Sequence, residues 1–369
     1  MWQEIRKVFK TADKWILAMV FFLAAYGVTM IYSASKTMPG GLKYVSVQLI
    51  AFLIGLILMF IMAAIDYESF GNQTKLIYAL NILLLATVFF LGTGEEVGTK
   101  GWIRFGGIGI QPSEIVKIGF VLTFAKHLER DEEHVNKLVP FIGMVIHAGV
   151  LIGMVLLQPD YGTAMVYMFM FICMIFAAGL YYRTIFIAFG GLLAFAPIAW
   201  FFILKPYQKE RFLTFFNPAH DPSGMGYQVT QSKIAIGSGE VTGRNLFEGP
   251  QTQLNILPAK HTDFIFGVIG EELGFIGSII VIIVLFALVI KCFHTGLGAR
   301  TNYGRYICIG IGAMFLFQIF ENIGMCIGVM PVTGIPLPFI SSGGSSLLTN
   351  MIAVGIVLSV CARRKMINF

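Results

Sequence analysis

The chain has 369 residues, 57% of them apolar and only 12% charged, with a mean hydropathy of +0.79. Soluble domains carry about 25% charged residues, so this composition excludes a soluble globular protein and puts the chain in a membrane. A net charge of +6 without a basic stripe or an aromatic-basic module excludes nucleic acid as a partner.

Ten apolar runs reach or approach the roughly 20 residues that a helix needs to cross the hydrocarbon core. They lie near 15–34, 45–65, 75–92, 112–128, 138–158, 162–181, 184–204, 264–291, 305–329 and 346–362. The fold class is therefore all-α: a polytopic integral membrane protein with ten transmembrane helices, one domain over 1–369. The first run is long and has no small-residue cleavage site behind it, so it is expected to be kept as a span. An even number of spans puts both termini on one side. With the N-terminus inside, 15 Lys and Arg fall in the cytoplasmic segments and 4 in the short outer loops (Lys36, Lys43, Lys100 and Arg104). The positive-inside rule then predicts that both termini are cytoplasmic. The cysteines at 173, 292, 308, 326 and 361 show no metal or pairing pattern and read as small apolar residues.

Between the spans, four outer segments stand out. The loop Gly92–Ile110 carries Glu95, Glu96, Lys100, Trp102 and Arg104, and leads to Pro112, which suits a helix first turn. Just beyond, Glu114 and Lys117 are three residues apart and share a helix face, so they can pair. Gln158–Thr163 predicts a tight turn with one acid, Asp160. From 205 to 262 the chain leaves the membrane; turn signals at Asn217-Pro218 and Asp221–Gly224 precede Tyr227–Ile236, which suits a short interfacial helix. Last, Pro331–Ser346 contains three prolines and Gly343-Gly344, a pair expected to supply positive φ. Such a stretch cannot cross lipid as a helix and is tolerated only against protein or a wet cavity.

The acid with the most telling position is Asp263, the last polar residue before the apolar run Phe264–Phe266. Partial burial and neighbouring charge can tune a proton affinity there, and Thr262 and Asp263 are also good helix N-caps. His261 can orient Asp263 or simply lie in an exposed loop. Arg104, Arg211, Lys233 and Lys260 are outer cations, suited to a pyrophosphate or to lipid headgroups. Ser341 and Ser342 offer donors to phosphate or sugar. Glu271 and Glu272 in the eighth run, with Gln318, Glu321 and Asn322 in the ninth, predict buried polar pairing between those two helices. No HExxH, HxxxH, CxxC or Walker pattern occurs, so metal hydrolysis and nucleotide use have no support.

Five blocks in order carry a resemblance: IQPSEIVK (110–117), LLQPDYGT (156–163), NPAHDPSGMGYQVTQSKIAIGSG (217–239), LPAKHTDFIFGVIGEELG (257–274) and NIGMCIGVMPVTGIPLPFISSGGSS (322–346). Together they resemble the SEDS family, named for shape, elongation, division and sporulation. Gly249–Leu254 resembles the RodA-like branch rather than the FtsW-like one. Ala219 and Ala259 depart from the family pattern, the latter standing where many members have glutamate.

The resemblance implies a peptidoglycan glycosyltransferase that extends glycan strands at the outer membrane face during cell elongation and rod-shape maintenance. Its substrate would be lipid II, a disaccharide-pentapeptide on undecaprenyl pyrophosphate; its partners would be a class B penicillin-binding transpeptidase and membrane lipids. It also implies that Asp263 is the essential acid. Glu114, Lys117, Asp160, Trp102, Arg104, Arg211, Lys233, His261, Thr262, Ser341 and Ser342 are the candidate supporting residues. No cofactor is expected, and a loosely held divalent cation between pyrophosphate and Asp160 or Asp263 stays open. Two rival readings use the same features: a lipid-linked precursor flippase, and a non-catalytic scaffold for the transpeptidase.

Overall fold

The computed structural model describes residues 13–93, 101–105, 108–203 and 206–364. Expectations that fall on Arg6, Lys7, Lys10, Glu95, Glu96, Lys100 and Lys365 lie outside them. Helices stand at all ten expected positions: α1 (Lys14–Ser35), α2 (Gly41–Ala64), α4 (Thr74–Leu91), α5 (Pro112–Asp131), α6 (Leu138–Leu157), α7 (Tyr161–Ala177), α8 (Tyr182–Ile198), α12 (Ile265–Leu297), α13 (Asn302–Ile327) and α14 (Gly344–Ala362). Among the described residues, seven of these are long and apolar enough to cross a membrane; α7 is apolar but shorter. Between them lie the short α3 (Tyr67–Asn72) and, in the long loop, α9 (Pro206–Phe216), α10 (Met225–Ser238) and α11 (Pro250–Gln253). The expected interfacial helix is α10, slightly longer at both ends.

Local chemistry sets the helix ends. The Asp13 carboxylate accepts from Trp15 N at 2.9 Å and caps α1, Asp160 accepts from Thr163 N at 3.1 Å and caps α7, and Thr301 caps α13 through Gly304 N at 3.3 Å. Pro112 occupies the first turn of α5, where its missing N–H costs nothing. Within α12, Gly274 has φ 63 and ψ −159, so a residue that tolerates positive φ makes the kink.

Burial sorts the helices into layers. α13 and α14 bury 72% of their most apolar windows against 17% for α4, so the first two form the centre and α4 faces lipid. Phe120, Phe124, Tyr167 and Phe315 fill the interior around them. One end of the bundle is tied by charge: Lys291 pairs with Asp13 at 2.8 Å, Arg363 with Asp66 at 3.5 Å, and Glu129 accepts from Tyr303 N at 3.1 Å. The opposite end carries the long loop, the Asp263 turn and the Pro331–Gly343 segment.

Two expectations need correction there, and one loop carries structure that the sequence alone leaves open. The loop after α4 contains a small antiparallel hairpin, β1 (Ile103–Phe105) with β2 (Ile108–Ile110), extended by a Thr93–Trp102 bridge. Gly343 has φ 178, ordinary extended backbone, and Gly344 opens α14; the positive-φ glycine of this segment is Gly334, at φ 77. Glu271 and Glu272 do not pair with α13. Glu271 accepts from Gln251 N, Thr252 N and the Thr252 hydroxyl at 2.6–2.9 Å, and Glu272 accepts from Ser33, Phe247 N and Gln253. Both carboxylates tie the long loop back to α12, where backbone N–H groups meet their charge.

Candidate active site

A cavity of about 620 Å³ lies at the loop-bearing end, lined by Tyr44 of α2, Trp102 and Arg104 of the hairpin, Gln111, Glu114, Asp160, Gln228 of α10, and Asp263. The segment Val332–Pro336 completes the wall. Pockets of about 300–1,000 Å³ hold compact ligands, which suits the polar head of a lipid-linked sugar and leaves lipid tails to the grooves between helices.

Asp263 lies two residues before α12, half-buried, with its carboxyl toward the cavity. Among the described residues that carboxyl makes no hydrogen bond. Burial alone pushes its proton affinity up, to a pKa of about 6. The main chain around it is held firmly: Ser342 N donates to the His261 carbonyl at 2.9 Å, the Ser341 hydroxyl to the Thr262 carbonyl at 2.7 Å, and Asn322 Nδ2 to the Asp263 carbonyl at 2.8 Å. A Cβ added to Gly334 would sit 3.6 Å from Asp263 Oδ2, so the glycine backs directly onto the acid.

The second acidic group is Asp160. Its Oδ2 accepts from Gln111 Nε2 at 2.8 Å and from the Ser113 hydroxyl at 3.4 Å, while Oδ1 caps α7. Burial pushes this carboxyl up, against the Thr163 hydrogen bonds that hold it down. Beside it, Lys117 Nζ donates to Glu114 Oε1 at 2.7 Å, both side chains almost wholly buried. The three-residue spacing on α5 makes this pair, and Glu114 presents it to the cavity.

Of the remaining candidates, Trp102, Arg104 and Thr262 line the cavity, Arg104 at an exposed position. The Trp102 indole lies on Gly109, where a Cβ would meet it at 3.0 Å. His261 stacks on Tyr44, ring centroids 4.4 Å apart, and burial with the neighbouring Lys260 holds its pKa down. Lys260 is itself buried and donates to the Thr252 carbonyl, so it is tied into the loop. Ser341 and Ser342 serve the Asp263 backbone and do not line the cavity. Lys233 is exposed on α10, against Gly328, away from the lining. The Arg211 side chain lies outside the described residues.

Residues that the sequence did not single out are Tyr44, Gln111, Gln228 and Thr333. Gln111 and Gln228 stand inside the quoted blocks, yet only folding brings their amides to the same wall as Asp263. Among the described residues no group of three or more His, Cys, Asp or Glu side chains could hold a metal ion.

Comparison with known proteins adds a second line. Residues 13–366 match the family model FTSW_RODA_SPOVE, described as cell cycle protein. The chain is 36% identical to the probable peptidoglycan glycosyltransferase FtsW of Trichlorobacter lovleyi, over 99% of this chain and 98% of the relative. It is also 36% identical to the peptidoglycan glycosyltransferase MrdB of Escherichia coli, over 96% and 95%. A chain solved within a peptidoglycan synthase complex that coordinates polymerization and crosslinking superposes with a TM-score of 0.84 at 30% identity, over 96% of this chain and 98% of that one.

Proposed function

We propose that this chain, which belongs to the FtsW–RodA–SpoVE family of cell cycle proteins, extends glycan strands from lipid II with Asp263 as its base. It is a membrane-embedded peptidoglycan glycosyltransferase. The observation that carries the mechanism is a carboxyl without a hydrogen-bond partner among the described residues, facing a 620 Å³ cavity, with a pKa raised to about 6. General bases work best when their pKa lies near the operating pH.

In the transfer, the Asp263 carboxylate takes the proton from the acceptor sugar hydroxyl. That oxygen forms a bond to the donor C1 while the C1–oxygen bond to pyrophosphate breaks, and the electron pair leaves with the lipid pyrophosphate. Attack opposite the leaving group inverts C1. Arg104 at the exposed rim meets the charge that develops on the leaving group. The Glu114–Lys117 pair and the capped Asp160 fix the field of the facing wall. Gln111 and Gln228 offer amides to sugar hydroxyl and acetamido groups. The bolted backbone of 261–263 holds the base still, which keeps its aim without reorganisation during reaction.

The cavity lies at one end of the bundle, as polymerisation on one membrane face requires; alternating access would instead need a site near the midplane. The cations at the other end support a cytoplasmic location for both termini, so that the cavity faces outward. A class B penicillin-binding transpeptidase is the proposed partner, supported by the likeness to a chain from a synthase complex that joins polymerization to crosslinking. A role in elongation is the reading supported by Gly249–Leu254.

Purified protein, alone and with its transpeptidase, is to be incubated with lipid II and the products separated on a gel. Polymer from the wild type and none from Asp263→Asn supports the assignment. Equal polymer from both would remove Asp263 from the base role.

A further inference from the structure

Behind the cavity wall lies a group of oxygens that the glycosyl transfer does not use. Gln318, Glu321 and Asn322 are each fully buried in α13. Their spacing of three and four residues sets them on one helix face. Among the described residues both ends of the Gln318 amide and Asn322 Oδ1 have no hydrogen-bond partner, and the two Glu321 oxygens have none beyond the Thr333 hydroxyl. Thr333 interacts with the Glu321 carboxyl and also lines the cavity, so this group has a route to solvent. Within the group only the Thr333 hydroxyl and the Gln318 amide nitrogen can donate, against four buried acceptor oxygens on Gln318, Glu321 and Asn322. Leaving even one buried acceptor unsatisfied costs about 1–3 kcal/mol, and an unpaired carboxylate costs more.

The donor set is oxygen only: one carboxylate, two amide carbonyls and a hydroxyl. Hard cations take such ligands, whereas nitrogen and sulfur suit transition metals. A single carboxylate balances one positive charge. A divalent ion would keep a net charge there, since the other acid nearby, Asp263, turns its carboxyl to the cavity and meets this group only through its main-chain carbonyl. The arrangement also supplies what orients a ligand from behind. Asn322 Nδ2 donates to the Asp263 and Ile335 carbonyls at 2.8 Å each, which turns its Oδ1 away from them. Helix ends beside broken backbone are where membrane proteins hold small monovalent ions, and α13 ends at Ile327, just before the Pro331–Gly343 segment.

We propose that Glu321, Asn322, Gln318 and Thr333 form a binding site for a sodium-sized monovalent cation. Through Asn322 the site is joined to the backbone of Asp263, so an ion bound there stiffens the turn that carries the base. Nothing in this site requires the glycosyl transfer itself.

The test uses purified full-length protein and reads thermal unfolding in sodium, potassium and choline chloride at equal ionic strength. A ligand that binds only the folded state raises the unfolding temperature with concentration. The expected result is a saturable rise specific to sodium in the wild type, lost in Glu321→Gln, which keeps side-chain volume and removes the charge. Thr333→Val, which removes one ligand, should need about 10-fold more sodium for the same rise. The same measurement with labelled sodium should show one displaceable ion per wild-type chain, a readout that stands even if Glu321→Gln fails to fold. Equal unfolding in all three salts, no displaceable sodium, or a sodium effect of the same size in Glu321→Gln would mean that internal water alone fills the site. An equal effect of potassium would overturn the size selectivity.

Discussion

The Ser341 hydroxyl donates to the Thr262 carbonyl across 2.7 Å, while the same oxygen accepts from Leu337 N at 2.8 Å. One serine thus closes a turn in the Pro331–Gly343 segment and fastens that turn to the residue before Asp263. With Ser342 N on the His261 carbonyl and Asn322 on that of Asp263, three consecutive carbonyls are held from one side. The main chain of the acid is fixed and its side chain is left free for substrate. Such division is how a site holds a reactive group within a fraction of an ångström of its working position.

Asp263→Asn should abolish polymer formation and leave folding intact, because asparagine keeps the shape and loses the basicity. The pH dependence follows from the raised pKa. Polymerisation should climb as pH rises through about 6, where the carboxylate forms, and level off above it. For stability the sign is opposite. Folded Asp263 holds its proton more tightly than the unfolded chain, so stability falls as pH rises from 3.8 toward about 6. Asp263→Asn removes that loss, and at pH 7 it should unfold at or above the wild-type temperature. A pH–rate profile and unfolding curves at pH 4 and pH 7 check both statements; a flat rate profile would count against the base.

Glu114→Gln and Lys117→Met should each lower activity and stability strongly, since each leaves the other charge buried without its partner 2.7 Å away. Breaking such a pair from one side costs about 3–5 kcal/mol. The double variant should lose much less than the sum of the two. Additive losses in a double-mutant cycle of unfolding free energy would show that the two residues act separately.

Gly334→Ala should reduce polymerisation sharply, whereas Gly343→Ala should be mild. Gly334 sits at φ 77 with its Cβ position 3.6 Å from Asp263 Oδ2. A side chain there costs about 1–2 kcal/mol in backbone strain and also crowds the acid. Gly343 has extended backbone, and the nearest atom to an added Cβ is Ser346 Cβ at 3.6 Å. Comparing kcat for the two variants tests this, and equal losses would contradict it.

How far the fold could be read from the sequence depended on the range of the interaction. Hydropathy marks each helix by itself, so all ten positions were legible, and the Glu114–Lys117 pair followed from spacing within one turn. Asp263 was legible because its place before an apolar run is local. Glu271 and Glu272 do not pair with the partner helix because their donors come from far along the chain: Ser33 from the packing of α1 on α12, and residues 247–253 from the long loop folding back. Gly334 and Phe339, rather than the more conspicuous Gly343-Gly344 pair, take positive φ, since that choice depends on how the segment packs around Asp263. The Tyr44, Gln111 and Gln228 contributions come from α2, the turn before α5, and α10, and no periodicity links them.

Glu271→Gln should loosen the long loop before it touches the chemistry. Each Glu271 oxygen has donors: Gln251 N at 2.6 Å on Oε1, and Thr252 N and its hydroxyl at 2.9 and 2.6 Å on Oε2. Glutamine can accept from donors at one oxygen, but its amide nitrogen must face a backbone N–H, so at least one buried donor is stranded. Hydrogen bonds to a charged group contribute about 1.5–3 kcal/mol, and that sets the size of the local loss. Because the Thr252 carbonyl is also the acceptor for Lys260, displacement of residues 250–253 would free the lysine three residues before Asp263. Limited proteolysis of the wild type and Glu271→Gln should therefore show faster cleavage between 239 and 262 in the variant, with helices α12 and α13 still protected. Polymerisation should fall less than in Asp263→Asn. Unchanged cleavage with lost activity would place Glu271 in the reaction itself rather than in the loop's anchorage.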